Sequence, residues 1–176
     1  MTEPSNHRSM EQEFKHHSLS LLDQSLFKIK NCCRQLSEAQ VWWSPPGTSN
    51  SMGNLILHCC GNLRQWGVNG ILKQTDDRKR ELEFSADHSL TKSQLLELCE
   101  ATIGDSRQAI ESLTPADLMS PRIIQGFEVT VLQAVLHTTT HFVGHTHQMI
   151  LLTRQQLGAG YQFAWQPGNE QEDLPI

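Results

Sequence analysis

Residues 136–149 read LHTTTHFVGHTHQM, and the rest of the chain is best read outward from them. His137, His141 and His145 recur every four residues. On an α-helix each step of four drifts by about 40°, so the three imidazoles share one stripe. His147 falls on another face, and Gln148 returns to the stripe between the angles of His137 and His141. Two histidines one turn apart on a helix are set to chelate a single ion, as in the helical H-E-x-x-H zinc motif. Phe142 stands at the position of that motif's Glu, which excludes a zincin protease. The helix carrying the stripe opens near Glu128 to Thr130 and runs to Leu157, where Gly158 reads as its stop.

An ion needs more than two ligands, and an earlier helical segment, from about Asn50 to Lys73, offers one. Its stretch NLILHCCGNLRQW sets His58 among Leu55, Ile56, Leu57, Cys59, Cys60 and Leu63, with Asn54, Asn62 and Gln65 on the face of His58. A polar stripe on an otherwise apolar helix implies a wet or functional interior. Three neutral imidazoles suit zinc, nickel, iron or copper better than magnesium or calcium. Three protein ligands without a fourth leave a position for water or substrate, the mark of a catalytic site. The same residues also suit a structural polar network, and spacing does not decide between the two.

Two more segments complete the helical pattern. Ser9 to Leu36 repeats Phe14, Leu21, Leu22, Ser25, Leu26, Ile29 and Cys33 at spacings of mostly three and four. Pro45, Pro46 and Gly47 then break it, with Trp42 and Trp43 expected to anchor the loop on the core. The other segment starts at Thr91, where Thr91 and Gln94 form a capping box and Leu90 and Leu95 a hydrophobic staple. Its buried stripe is Leu95, Leu98, Cys99, Thr102, Ile103, Ser106, Ala109, Ile110 and Leu113, and Thr114-Pro115 begins a short extra turn. Residues 74–89, QTDDRKRELEFSADHS, are charged and aperiodic and read as a long exposed connection. Within them Arg78, Lys79 and Arg80, flanked by Asp76, Asp77, Glu81 and Glu83, read as a solvated run. QGFEVTVL, residues 125–132, is ambiguous between strand and helix, and no other strand pattern competes. Four helices of roughly 24–28 residues, each about 36–42 Å long, describe an all-α four-helix bundle.

Composition bounds what such a bundle does. The chain has 176 residues, 38% hydrophobic and 19% charged, with 14 Lys+Arg against 19 Asp+Glu for a net charge of −5. That rules out a strongly basic nucleic-acid surface as the default, though not a local basic patch. No run approaches the ~20 apolar residues of a membrane span. The polar N-terminus lacks the apolar region of a secretory signal, so a cytoplasmic location is expected. Cys32, Cys33, Cys59, Cys60 and Cys99 are odd in number with no C-x-x-C pair, and are expected to be buried small hydrophobes. The vicinal Cys59-Cys60 pair is the one to watch for redox sensitivity. His7, His16, His17 and His88 are expected on the surface. Tyr161, Phe163 and Trp165 in the tail, residues 159–176, are expected to dock on the bundle, and beyond Pro167 the tail is acidic and expected to fray.

SMGNLILHCCGNLRQW followed by HTTTHFVGHTHQMI resembles the DinB/YfiT-like superfamily of metalloenzymes, in a DUF-type branch, over roughly residues 10–158. The resemblance implies a single domain with up-down-down-up topology and long crossover connections. It also implies one divalent transition-metal ion, zinc or nickel foremost, on His58, His141 and His145. His137 matches a histidine that precedes the family's pair, and would orient a ligand or serve as catalytic base. Gln148 matches the Gln of the family's H-x-G-Q ending, where His147 replaces the Gly. Characterised relatives imply a thiol S-transferase or a hydrolase-like enzyme, in which the metal activates a small-molecule thiol or water and Asn54, Asn62 and Gln65 orient the second reactant. The alternative is a bundle that holds metal or binds a small molecule, such as a stress signal, without turnover. The family also suggests a homodimer and no nucleic-acid partner.

Overall fold

The computed structural model describes residues 8–47, 49–86 and 89–165. It is mostly helical. In chain order the elements are α1 (Met10–Gln35), α2 (Glu38–Trp42), α3 (Met52–Arg64), a π-helical turn (Gln65–Asn69), α4 (Gly70–Leu72), α5 (Arg80–Ser85), α6 (Lys92–Glu111), α7 (Pro115–Leu118), β1 (Pro121–Ile124), β2 (Phe127–Thr130) and α8 (Val131–Leu157), closed by a 3₁₀ turn at Gly158–Gly160.

Local chemistry fixes the starts. Six helices begin with a reciprocal capping box: Ser9 with Gln12, Ser37 with Gln40, Ser51 with Asn54, Thr91 with Gln94, Thr114 with Asp117, and Thr130 with Gln133. α8 ends as its sequence indicates, with Gly158 at φ 54.

The four longest helices pack in a ring, α1 on α8 and α6, α3 on α6 and α8. Leu22, Ile29, Ile56, Leu63, Leu95, Ile110, Phe142 and Met149 fill the middle and are fully buried. Each such side chain contributes about 1.5–3 kcal/mol relative to exposure. The stripe read on α6 is buried as expected, save Leu98, which is half-buried. All five cysteines are buried and free. Burial pushes the Cys33 thiol up to about 12, and Cys59 is also raised chiefly by burial. Cys99 is raised by its hydrogen bond with Cys60 and by burial. The vicinal Cys59-Cys60 pair is thus set in the core as apolar filling. Among the described residues, no helix is long and apolar enough to cross a membrane.

Several expectations are corrected. Residues 74–86 are mostly exposed, as read, but they are not wholly a loop: they carry α5, which packs along α3, and the Arg78 and Glu83 side chains turn inward. The second segment is not one continuous α-helix, because the π turn inserts an extra residue before α4. QGFEVTVL resolves into both states. Gln125 and Gly126 take positive φ (53° and 81°) and turn β1 back on β2, pairing Ile124 with Phe127, before Val131 starts α8. Trp42 anchors the first connection, donating from Nε1 to the Leu90 carbonyl at 3.0 Å, whereas Trp43 is 39% exposed. Gly53 allows that anchor, since a Cβ there would lie 2.8 Å from the Trp42 ring. Tyr161 packs on the core, but Phe163 and Trp165 stay largely exposed, with Phe163 stacked edge-on against Tyr161. His16 and His17 are on the surface as expected. His7, His88 and the tail beyond Pro167 lie outside the described residues.

Candidate metal centre

α3 and α8 pack face to face, and this contact brings three imidazoles together. His58 comes from the middle of α3, His141 and His145 from successive turns of α8. His58 Nε2 lies 3.1 Å from His141 Nε2, and His145 Nε2 lies 3.2 Å from the same atom. All three ligand atoms fall within 4.8 Å of one another. His58 is buried and the other two are half-buried.

The outer nitrogens fix which way the lone pairs point. His145 Nδ1 lies 2.8 Å from Gln148 Oε1, an acceptor, so Nδ1 carries the proton and Nε2 is bare. His58 Nδ1 lies 2.9 Å from Glu83 Oε2 and 3.1 Å from Arg78 Nη2. One nitrogen cannot donate to the carboxylate and accept from the guanidinium at once. Donation to Glu83 wins, because a bare Nδ1 would set its lone pair against a carboxylate oxygen. His58 Nε2 is then bare as well. Two lone pairs thus converge on His141 Nε2, while buried His141 Nδ1 has no hydrogen-bond partner among the described residues.

Glu83 is itself gripped. Arg78 Nε and Nη2 donate to its two oxygens at 2.6 and 2.8 Å, and the Arg78 and Glu83 side chains are only 5% and 11% exposed. Burial pushes the Glu83 carboxyl up, but the hydrogen bonds from Arg78 and His58 outweigh it and hold it below the usual range. Phe84 lies against the His58 ring, centroids 4.8 Å apart. His141 is pushed down to about 3 by burial, with the neighbouring His145 and His58 adding to it. Burial also lowers His145, against the opposing bond to Gln148. Both are neutral at pH 7, the state a metal requires.

Asn54 donates from Nδ2 to the carbonyls of Glu83 and Ala86, at 3.0 and 2.8 Å. Gln65 accepts from Arg78 at 2.9 Å and from Gln125 at 2.6 Å, and donates to Asp76. Asn62 accepts from Thr138 of α8 at 2.9 Å. All three side chains are therefore engaged with protein groups. His137, one turn before His141, stacks on Trp66 at 4.2 Å and stands 5.9 Å from the His141 ring. Burial lowers its pKa. His147 is exposed and lies outside the cluster. A cleft of about 380 Å³ adjoins the site through Gln148, lined also by Asn50, Leu55, Leu151, Leu152 and Gln155.

Arg78 and Glu83 are the residues sequence reading missed. A signal was present: buried Asn54, His58 and Gln65 need partners, and the nearest unassigned polar groups lie in the connection that follows them.

The donor set fits a cation. Tetrahedral zinc with nitrogens at about 2.0–2.1 Å would hold them about 3.3 Å apart. Two of the three pairs here stand at 3.1 and 3.2 Å. Without a cation, a single Nε2 proton on His141 serves two acceptors.

Comparison with known proteins agrees with the fold. The profile described as "Protein of unknown function (DUF1572)" matches residues 9–167. No curated protein matches the chain significantly. A crystal structure of a DinB-like protein, YjoA, from Bacillus subtilis is similar at a TM-score of 0.57, with 17% identity, covering 88% of this chain and 99% of that one. At that identity the likeness is one of fold.

Proposed function

We propose, from the premise that this chain belongs to the DUF1572 family, that it is a metal-dependent enzyme holding one divalent ion, zinc or nickel, on His58, His141 and His145. The reaction class is thiol S-transfer or a related hydrolysis. The convergence of three Nε2 atoms, two of them made bare by Glu83 and Gln148, carries this reading. We read the four long helices as one domain of up-down-down-up topology.

A bound divalent ion lowers the pKa of a thiol or water on it toward neutrality and so supplies a nucleophile. The chain's own residues do the rest. Three imidazoles would leave a ligand position for a reactant, and a cleft bordered by Gln148, the partner of His145, lies beside the site. That cleft is lined by amides and leucines with no charged side chain, which suits an uncharged second reactant. His137 is our candidate for the base that accepts the proton from the thiol or water: it is exposed, one turn before His141, and burial lowers its pKa. Asn54, Asn62 and Gln65 orient the reaction through the walls they hold: Asn54 and Gln65 fix the segment behind His58, and Asn62 fixes the α3–α8 spacing. The competing reading, a bundle that holds metal without turnover, is favoured by the depth of His58, which is 6% exposed.

Elemental analysis of untagged protein beside a His58→Ala, His141→Ala, His145→Ala variant tests the site. The expected result is about one divalent ion per chain, lost in the variant. No ion, together with no uptake of zinc or nickel on titration, overturns the metalloenzyme reading. If the ion is present, turnover of thiol-transfer or ester substrates by the loaded protein separates enzyme from metal holder.

A further inference from the structure

The segment between α4 and α6 is built as a strap across the back of His58. Asp76 and Arg78 bond to Gln65 at one end, and the carbonyls of Glu83 and Ala86 accept from Asn54 at the other. Between these pins Glu83 takes the His58 Nδ1 proton in a hydrogen bond, Arg78 closes on Glu83, and Phe84 covers the ring. The surface of α3 is cut to receive them. Gly61 faces the ion pair, and a Cβ there would collide with a Glu83 carboxylate oxygen and come within 2.9 Å of Arg78 Nε. Three features thus meet at one point: the acceptor on the ligand's outer nitrogen, the cation that orients it, and the missing side chain that makes room for both.

We infer that Glu83 is the positioning residue of this centre and that the strap it rides on is coupled to metal loading. This rests on the three-histidine reading given above. Glu83 holds His58 in the Nδ1–H tautomer with Nε2 aimed at the ion and raises its basicity as a ligand. Arg78, bonded to both carboxylate oxygens, keeps the carboxylate aimed. By reciprocity, an ion that binds more tightly when the strap is docked must also hold the strap down.

The experiment is calorimetric titration of metal-free protein with zinc, for the native chain and for Glu83→Ala, Glu83→Gln, Gly61→Ala and, as a control, Leu82→Ala. Leu82 lies on the same strap with its side chain 58% exposed. Glu83→Ala is expected to weaken zinc about 10–100-fold. Glu83→Gln, whose amide oxygen still accepts from Nδ1–H, is expected to recover part of that loss. Gly61→Ala weakens zinc by displacing Glu83 with every ligand intact, and Leu82→Ala leaves affinity unchanged. Cobalt loaded in place of zinc should show shifted visible bands in Glu83→Ala alone of the two strap alanine variants. In the native chain, zinc should slow amide exchange across residues 74–86.

If the native chain binds zinc and folded Glu83→Ala and Gly61→Ala bind it equally well, the positioning role falls while the metal site stands. If exchange in the strap is the same with and without zinc, the coupling falls. If the native chain takes up no metal, both this inference and the reading beneath it fall.

Discussion

The two long connections of this chain invert each other. The one before α6 is rich in charge and mostly exposed, yet turns one ion pair inward, with Arg78 and Glu83 side chains 5% and 11% exposed. The one before α8 ends in an apolar hairpin that turns apolar groups outward, with Ile123 75% and Phe127 63% exposed. Each has adapted to what its part of the second long helix offers. Asn54, His58 and Gln65 present polar atoms that need partners, so the charged connection settles there. Beyond them Trp66 presents an indole, and Ile124 and Val129 of the hairpin pack on it with Ala134. The π turn marks the border, and Gln65 at its start touches both connections through one oxygen, accepting from Arg78 and from Gln125. A side chain's class says where it goes only once its partner surface is known.

If this contrast is right, deleting the buried charge has the largest effect. Arg78→Ala leaves the Glu83 carboxylate enclosed with His58 alone and should destabilise the fold by about 3 kcal/mol, the low end for breaking a buried pair. A loss under about 1 kcal/mol in urea unfolding would place the pair with ordinary surface bridges and erase the contrast. The hairpin supplies the next test from within itself. Ile124, 5% exposed, should cost about 2 kcal/mol as Ile124→Ala, whereas its neighbour Ile123 should change stability by less than about 0.5 kcal/mol. Equal losses at the two positions would show that the hairpin does not pack as described.

The third effect is graded with pH, and it separates the histidine end from the hairpin. In metal-free protein the folded His141 titrates near 3 against an ordinary 6.5. Above 6.5 both states are neutral and the group contributes nothing. Below it the unfolded chain takes up a proton that the folded chain refuses, so stability declines as pH falls from 6.5 toward 3. His141→Asn should flatten that decline, read as urea midpoints between pH 7 and pH 5, and Phe127→Ser in the hairpin should leave it unchanged. An identical slope in His141→Asn would remove the histidine from the acid response.

Much of this was legible beforehand, and the exceptions share a cause. Thr91 with Gln94, the buried stripe of α6 and the Gly158 stop depend on contacts within one turn or one face, so spacing alone shows them. The meeting of His58 with His141 and His145 needs two helices to pack, and the polar face of α3 indicated that it had something to meet. Glu83 was hard to single out: the polar face of α3 called for partners in the following connection, but a carboxylate in a charged run has water as its default partner, and only Gly61 and His58 together make it an inside residue. The π turn leaves no gap in local periodicity, since one added residue rotates everything after it without changing any residue's character. Trp43 and Trp42 are chemically equal, and only the Leu90 carbonyl chooses between them.

Of the six capping boxes, five close on an amide (Gln12, Gln40, Asn54, Gln94 or Gln133) and one on a carboxylate, Asp117. Amides do not titrate and are little affected by ionic strength. The starts of the four longest helices are thus deaf to acid and salt, while the centre between α3 and α8 is not. Acidification should therefore separate two layers of order, loosening the contact between helices while each helix keeps its own beginning, and the chain would pass through a compact, helical, loosely packed state on its way to unfolding.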